Sequence, residues 1–145
     1  MQRVSGCFAE GTSTTRMGER AFMPELGIES RVDTETLSDD VVVVRVHGEA
    51  DLHFAPELRD TLDAVIDDGP TRVLVDLSDT VFIDSMALGV LLAGTKRMRA
   101  DGNRLELVVP NRDLRRIFEI TMLDRVLVIH PSLELAIEGR AGEAA

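Results

Sequence analysis

Thr80-Val81-Phe82-Ile83-Asp84-Ser85-Met86-Ala87-Leu88-Gly89-Val90-Leu91-Leu92-Ala93-Gly94 is the stretch on which the reading of this chain turns. A strand-like run ends at Ile83, two small polar residues follow, and an apolar helix-like run begins. Asp84 is a favoured N-cap type, because its short carboxylate accepts hydrogen bonds from the unpaired amides of a first helical turn. Ser85 is therefore predicted at the mouth of a helix, beside the positive end of the macrodipole. A phosphoryl group on its hydroxyl is expected to meet amide donors on one side and to turn about two negative charges towards anything docking on the other. By itself, an Asp-Ser pair before a helix signals only a cap.

The helix that follows is apolar around much of its circumference, through Met86, Leu88, Val90, Leu91, Leu92 and Ala93. Gly89 and Gly94 each cost it roughly 1 kcal/mol relative to alanine. Such a helix must hide more than one face. One account buries it between a sheet and a neighbouring helix, with the glycines allowing close packing. The other leaves Met86 and part of the first turn exposed, as an apolar docking patch beside Ser85. Different residues are involved, so the two accounts are compatible.

Outward from this stretch, strands and helices alternate. Upstream, Val73-Leu74-Val75-Asp76-Leu77 reads as a buried strand within residues 72–78. Before it, Leu58, Leu62, Val65 and Ile66 form one face of a helix that starts near Pro56 and ends near Gly69-Pro70. His47-Gly48-Glu49-Ala50-Asp51-Leu52-His53-Phe54-Ala55 is read as the loop leading into that helix. Val41 to Val46 is a valine-rich strand buried on both faces. Leu26 to Glu35 alternates as a half-exposed edge strand, and the two are expected to pair as a hairpin. Downstream of the central helix, which runs to about Ala100, Arg104 to Val109 is a strand. Asn111 caps a helix carrying Leu114, Ile117, Phe118 and Met122, Val126 to Ile129 is a last strand, and Ser132 opens a short helix through Leu133, Ala136 and Ile137. The order implies an α/β fold with a mixed, mostly parallel β-sheet packed with about four helices.

Composition narrows the function classes. With 145 residues, one domain and one real core are expected. Residues 1–24 are rich in Gly, Ser, Thr and Arg without periodicity and read as a disordered tail, in which Met17 and Met23 offer alternative starts; 25–139 is the folded domain, and 140–145 a frayed tail. No apolar run is long enough for a membrane span or a secretory signal, so a cytoplasmic protein is expected. The net charge of −10 argues against direct nucleic-acid binding and suits a partner with a basic face. Cys7 stands alone, and His47, His53 and His130 lack ligand spacing, so neither a metal site nor a cofactor is expected.

Enzyme motifs are missing as well. There is no phosphate-binding Gly-x-x-x-x-Gly-Lys run, and no Gly-x-Ser-x-Gly elbow surrounds Ser85. A phospho-aspartate receiver domain would need an acidic pair after its first strand and a late lysine. His47-Gly48 stands at one candidate position, and no lysine follows Lys96. Asp76 reads instead as a strand or turn acid.

The stretch from Val81 to Leu92 resembles the signature of anti-sigma-factor antagonists, single-domain proteins of the STAS family. A second match is Gly48-Glu49-Ala50-Asp51-Leu52-His53, similar to the Gly-x-x-Asp loop after that family's second strand. The likeness spans residues 26 to about 138 and departs at Met86 and Ala87, where a serine and a glycine are common. It implies the STAS fold and a non-enzymatic switch. The unphosphorylated protein would bind an anti-sigma factor, itself a serine kinase, and free the sigma factor. Phosphorylation of Ser85 would block this, and a serine phosphatase would restore it. Asp51, His53, Asp84, Met86 and Gly89 are the expected partner-binding neighbours. The alternative is a constitutive STAS scaffold or ligand-sensing module in which Ser85 is never modified.

Overall fold

A computed structural model describes residues 30–142 of the chain. The predicted N-terminal tail with Cys7, residues 26–29 of the first expected strand, and residues 143–145 lie outside the described residues. Two strands come first among the described residues. β1 (Arg31–Thr36) and β2 (Val41–Ala50) pair antiparallel as the expected hairpin, with Val32 opposite Val46 and Thr34 opposite Val44. α1 (Ala55–Asp67) then carries the chain to β3 (Arg72–Ile83), which lies parallel to β2. α2 (Ser85–Ala100) leads to β4 (Arg104–Val108), and α3 (Arg112–Ile120) with a short 3-10 turn (Leu123–Arg125) leads to β5 (Val128–His130). α4 (Leu133–Gly142) closes the described chain.

Among the described residues the strands lie in the sheet in chain order, β1 to β5, with only β1 antiparallel. Right-handed crossovers between strands in that order send successive helices to the same face. The core follows this rule. Val44, Val46, Val73, Val75, Leu105 and Leu107 point towards Leu58, Leu62, Leu91, Leu114 and Phe118 of α1, α2 and α3. The alternate residues Val43, Leu74 and Val108 point to the other face, where Ala136 of α4 covers them. Both faces of the central strands are thus buried, which is why they read as continuous apolar runs.

Under α4, one polar group is buried with them. Glu106 accepts hydrogen bonds from Arg72 at 2.6 and 3.0 Å and lies 3.0 Å from His130 Nε2, while the Arg72 guanidinium also donates to the carbonyl of Ala136. The network ties β3, β4, β5 and α4 together. Burial pushes the Glu106 carboxyl up, but the hydrogen bonds from Arg72 and His130 and the charges of Arg72 and Arg104 outweigh it and hold the group below its ordinary value.

Several boundaries differ from the sequence reading. β2 continues through His47, Gly48 and Glu49 to Ala50, where a loop was expected, because two register irregularities keep it paired with β3 as far as Ala50 opposite Ile83. The helix expected to carry Met122 stops at Ile120; Met122 takes a left-handed conformation and is exposed. The last strand begins at Val128 rather than Val126, since Val126 and Leu127 close the 3-10 turn through amides bonded to Leu123 O. α4 continues past Gly139 to Gly142, and Ile137, expected on its packed face, is exposed. One glycine weakens a helix without ending it.

Candidate functional site

β3 is far longer than β4, which pairs only with Arg72 to Asp76. The end of β3 therefore overhangs the sheet with β2 alone beside it, Glu49 opposite Phe82 and Ala50 opposite Ile83. At this overhang the chain turns into α2. Asp84 is extended (φ −111°, ψ −178°), and its Oδ1 accepts from the amides of Met86 at 3.0 Å and Ala87 at 3.1 Å. Its own amide donates to the carbonyl of Ala50 at 3.1 Å, which fastens the end of β3 to the end of β2. The predicted cap is therefore present and has a second task.

The sequence placed amide donors beside a phosphoryl group on Ser85 and Asp84 as their cap, and the amides of Met86 and Ala87 are bonded to the Asp84 carboxylate. A phosphoryl group on Ser85 would meet the Asp84 carboxylate close by, and like charges repel. Ser85 itself is the first residue of α2 and its side chain is exposed. It is not sealed in the core.

The loop after β2 is built in a similar way. Asp51 Oδ1 accepts from the amides of His53 at 3.1 Å and Phe54 at 3.0 Å, and its carbonyl accepts from Phe54 and Ala55. Asp51 thus holds the turn that launches α1, with Phe54 buried beneath and His53 exposed. The Ala50–Asp84 hydrogen bond brings this loop and the Ser85 turn to the same end of the sheet. Met86 is exposed, and so is Gly89 one turn further along. Of the six residues singled out from the sequence, Ser85, His53, Met86 and Gly89 are surface groups, whereas Asp51 and Asp84 have their backbone bonds as a first duty.

Sequence reasoning missed Leu52, Val81 and Phe82, all exposed at this end. Val81 and Phe82 were read as part of a strand-like run and given no surface role. Their spacing carried no signal, because whether a side chain at a strand end is covered depends on which element packs over that face. The opposite half of α2 is packed: Ala87, Leu88, Leu91, Gly94, Thr95 and Met98 are buried. Both accounts of this helix therefore hold, each for its own residues.

Other clusters do not join this end. His47 lies between Asp33 (3.1 Å) and Asp79 (3.3 Å), and Asp76 accepts from Ser78 and faces Arg45. Among the described residues, no group of three or more His, Cys, Asp or Glu is placed to hold a metal ion, and no helix is long and apolar enough to cross a membrane. A groove of about 410 Å³ lies elsewhere, between β1 and α1, lined by Thr34, Asp60, Thr61, Ala64, Val65 and Asp68.

Comparison with known proteins covers most of the chain. The family described as "STAS domain" matches residues 32–136. The anti-sigma-B factor antagonist of Staphylococcus aureus is 28% identical over 100 residues, which is 69% of this chain and 93% of that protein. The crystal structure of an anti-sigma factor antagonist from Mycobacterium paratuberculosis is 30% identical, with a TM-score of 0.68 over 78% of this chain and 93% of that one. The Bacillus cell fate determinant SpoIIAA in its phosphorylated form is 25% identical, with a TM-score of 0.60 over 74% of this chain and 97% of that one.

Proposed function

The chain belongs to the STAS domain family, and from that premise we propose that it is an anti-sigma factor antagonist switched by phosphorylation of Ser85. In its unphosphorylated form it binds an anti-sigma factor that is a serine kinase, and the sigma factor held there is released. The kinase phosphorylates Ser85 and loses its grip, and a serine phosphatase resets the chain. The protein acts in the cytoplasm, by binding rather than by catalysis, and touches no nucleic acid directly. Asp51 and Asp84 shape the two loops, and His53, Met86 and Gly89 face the partner beside Ser85.

The observation that carries this reading is the exposed Ser85 hydroxyl at the first position of α2, next to a carboxylate that has already taken the nearby amides. A phosphate added there finds little compensation within the chain, so its charge of about −2 falls on the interface. An interface fitted to a small hydroxyl accommodates that charge poorly, and a loss of ~3 kcal/mol weakens binding more than a hundredfold. The similarity to the staphylococcal antagonist supports the same reading.

A second reading is favoured by the exposed Met86, which departs from the small serine common in the family signature. In it the chain is a constitutive scaffold or ligand-sensing module. Incubation with the cognate anti-sigma kinase and ATP, followed by intact mass, separates the two. The switch predicts one phosphoryl adduct on the wild type and none on Ser85→Ala, and an unmodified wild type would leave only the scaffold.

A further inference from the structure

We propose that Phe82 and Met86 form an apolar anchor that selects the protein partner, and that Gly89 is bare so that the partner's surface can come down onto the helix backbone. The partner is a protein with an apolar socket rimmed by arginine or lysine. This rests on the reading that the Ser85 end of the molecule is the docking face.

The first observation is the exposure of four large apolar side chains at the ends of β2 and β3 and the start of α2. Leu52 is 56% exposed, Val81 54%, Phe82 46% and Met86 58%. Their neighbours Ala50, Phe54, Ile83, Ala87 and Leu88 are buried in the core, so the chain had interior to offer close by and these four are left out of it. Each keeps about half of its surface in water where it stands. Apolar exposure at one end of a sheet marks a protein-binding surface, and burying one or two such side chains in a partner's pocket dominates the energetics of an interface.

The second observation is a contrast between two glycines of the same helix. A Cβ on Gly94 would sit 3.2 Å from Leu105 Cδ1 and 3.7 Å from Ile66 and Leu62, so its missing side chain is required by packing. A Cβ on Gly89 would meet nothing within 4 Å, and its φ is not positive. Neither space nor backbone conformation inside the chain calls for glycine there, although glycine weakens the helix relative to alanine. Gly89 lies four residues after Ser85 and therefore on the same helix face. The close approach it permits must come from outside.

The third observation is charge. Glu49 lies opposite Phe82, Asp51 follows β2 and Asp84 precedes α2, so the same end carries three acidic residues, and the chain carries a net −10. Complementarity then asks for cations on the rim of the partner's socket.

The test titrates purified kinase domains of the anti-sigma factors of the same organism with the wild-type chain, Met86→Ser, Phe82→Thr, Gly89→Ala and Ser85→Asp. Met86→Ser and Phe82→Thr are expected to weaken the tightest complex at least tenfold. Gly89→Ala is expected to weaken it while raising the melting temperature, a combination that a merely structural glycine would not give. Unchanged affinity in Met86→Ser and Phe82→Thr, with Ser85→Asp still abolishing binding, overturns the anchor and leaves the proposed function standing. Failure of the wild type to bind any of the kinases removes the proposed function and the anchor with it. Self-association of the wild type in sedimentation, lost in Met86→Ser, would assign the patch to a second copy of the chain and overturn the proposal.

Discussion

Asp84 is asked to do three things with one short side chain and one backbone unit. Its carboxylate closes the first turn of α2, its amide ties β3 to β2, and its charge sits next to the hydroxyl of Ser85. Asp84→Ala removes the cap and should cost about 1 kcal/mol, whereas Asp84→Asn, whose amide oxygen still accepts from both backbone N–H groups, should cost a few tenths. Urea titration of the three proteins measures both. The same pair probes the switch. If the Asp84 charge contributes to the rejection of a phosphate at Ser85, phosphorylated Asp84→Asn should retain more anti-sigma binding than the phosphorylated wild type. Equal loss in both proteins would assign the whole effect to the partner's side of the interface.

Two opposite faces of α2 carry two different kinds of information. Leu91 is fully buried against the sheet and its neighbours, while Met86 stands out in solvent. Leu91→Ala should therefore cost 2–5 kcal/mol of stability, in the range of core truncations, and Met86→Ala should stay within about 0.5 kcal/mol, as surface substitutions do. Denaturant midpoints give both values, and a large loss from Met86→Ala would place that side chain in the core. The periodicity of the sequence foretold this helix, its cap and its length, because capping chemistry and apolar spacing are local properties. It also foretold the alternation of strands and helices. Sequence spacing failed where non-local pairing decides: β2 runs on to Ala50 only because β3 is there to pair with it. Phe82 comes to the surface on the overhang of β3, beyond its pairing with β4, and Leu52 in the turn after β2. Ser85, Met86 and Gly89 were legible as candidates from the sequence. That the Asp84 amide also ties the end of β3 to Ala50 of β2 was not, because that pairing is non-local.

At the level of the whole molecule, the docking end and the stabilising polar network lie apart. The Ser85 end hangs beyond the last β3–β4 pair, whereas Arg72, Glu106 and His130 lie under α4 on the other face of the sheet. That separation allows the surface to change charge without disturbing the core, and it lets the two be tested independently. Glu106 is held below its ordinary value of 4.5. A carboxylate lowered on folding binds fewer protons in the native state than in the unfolded chain between the two values. Stability from this group is therefore complete above pH 4.5 and drains away as pH falls through the lowered native value. Glu106→Gln removes the titration and leaves the Arg72 guanidinium without its counter-charge in a buried site. It should cost about 3 kcal/mol at neutral pH, in the range for breaking a buried pair. The difference in stability between wild type and Glu106→Gln should then shrink as pH falls below 4.5, while Ser85→Ala, which adds no titrating group, should show a pH profile parallel to the wild type in that window. A difference between wild type and Glu106→Gln that stays constant from pH 7 to pH 3 would mean that the Glu106 carboxylate does not stabilise the fold through its charge.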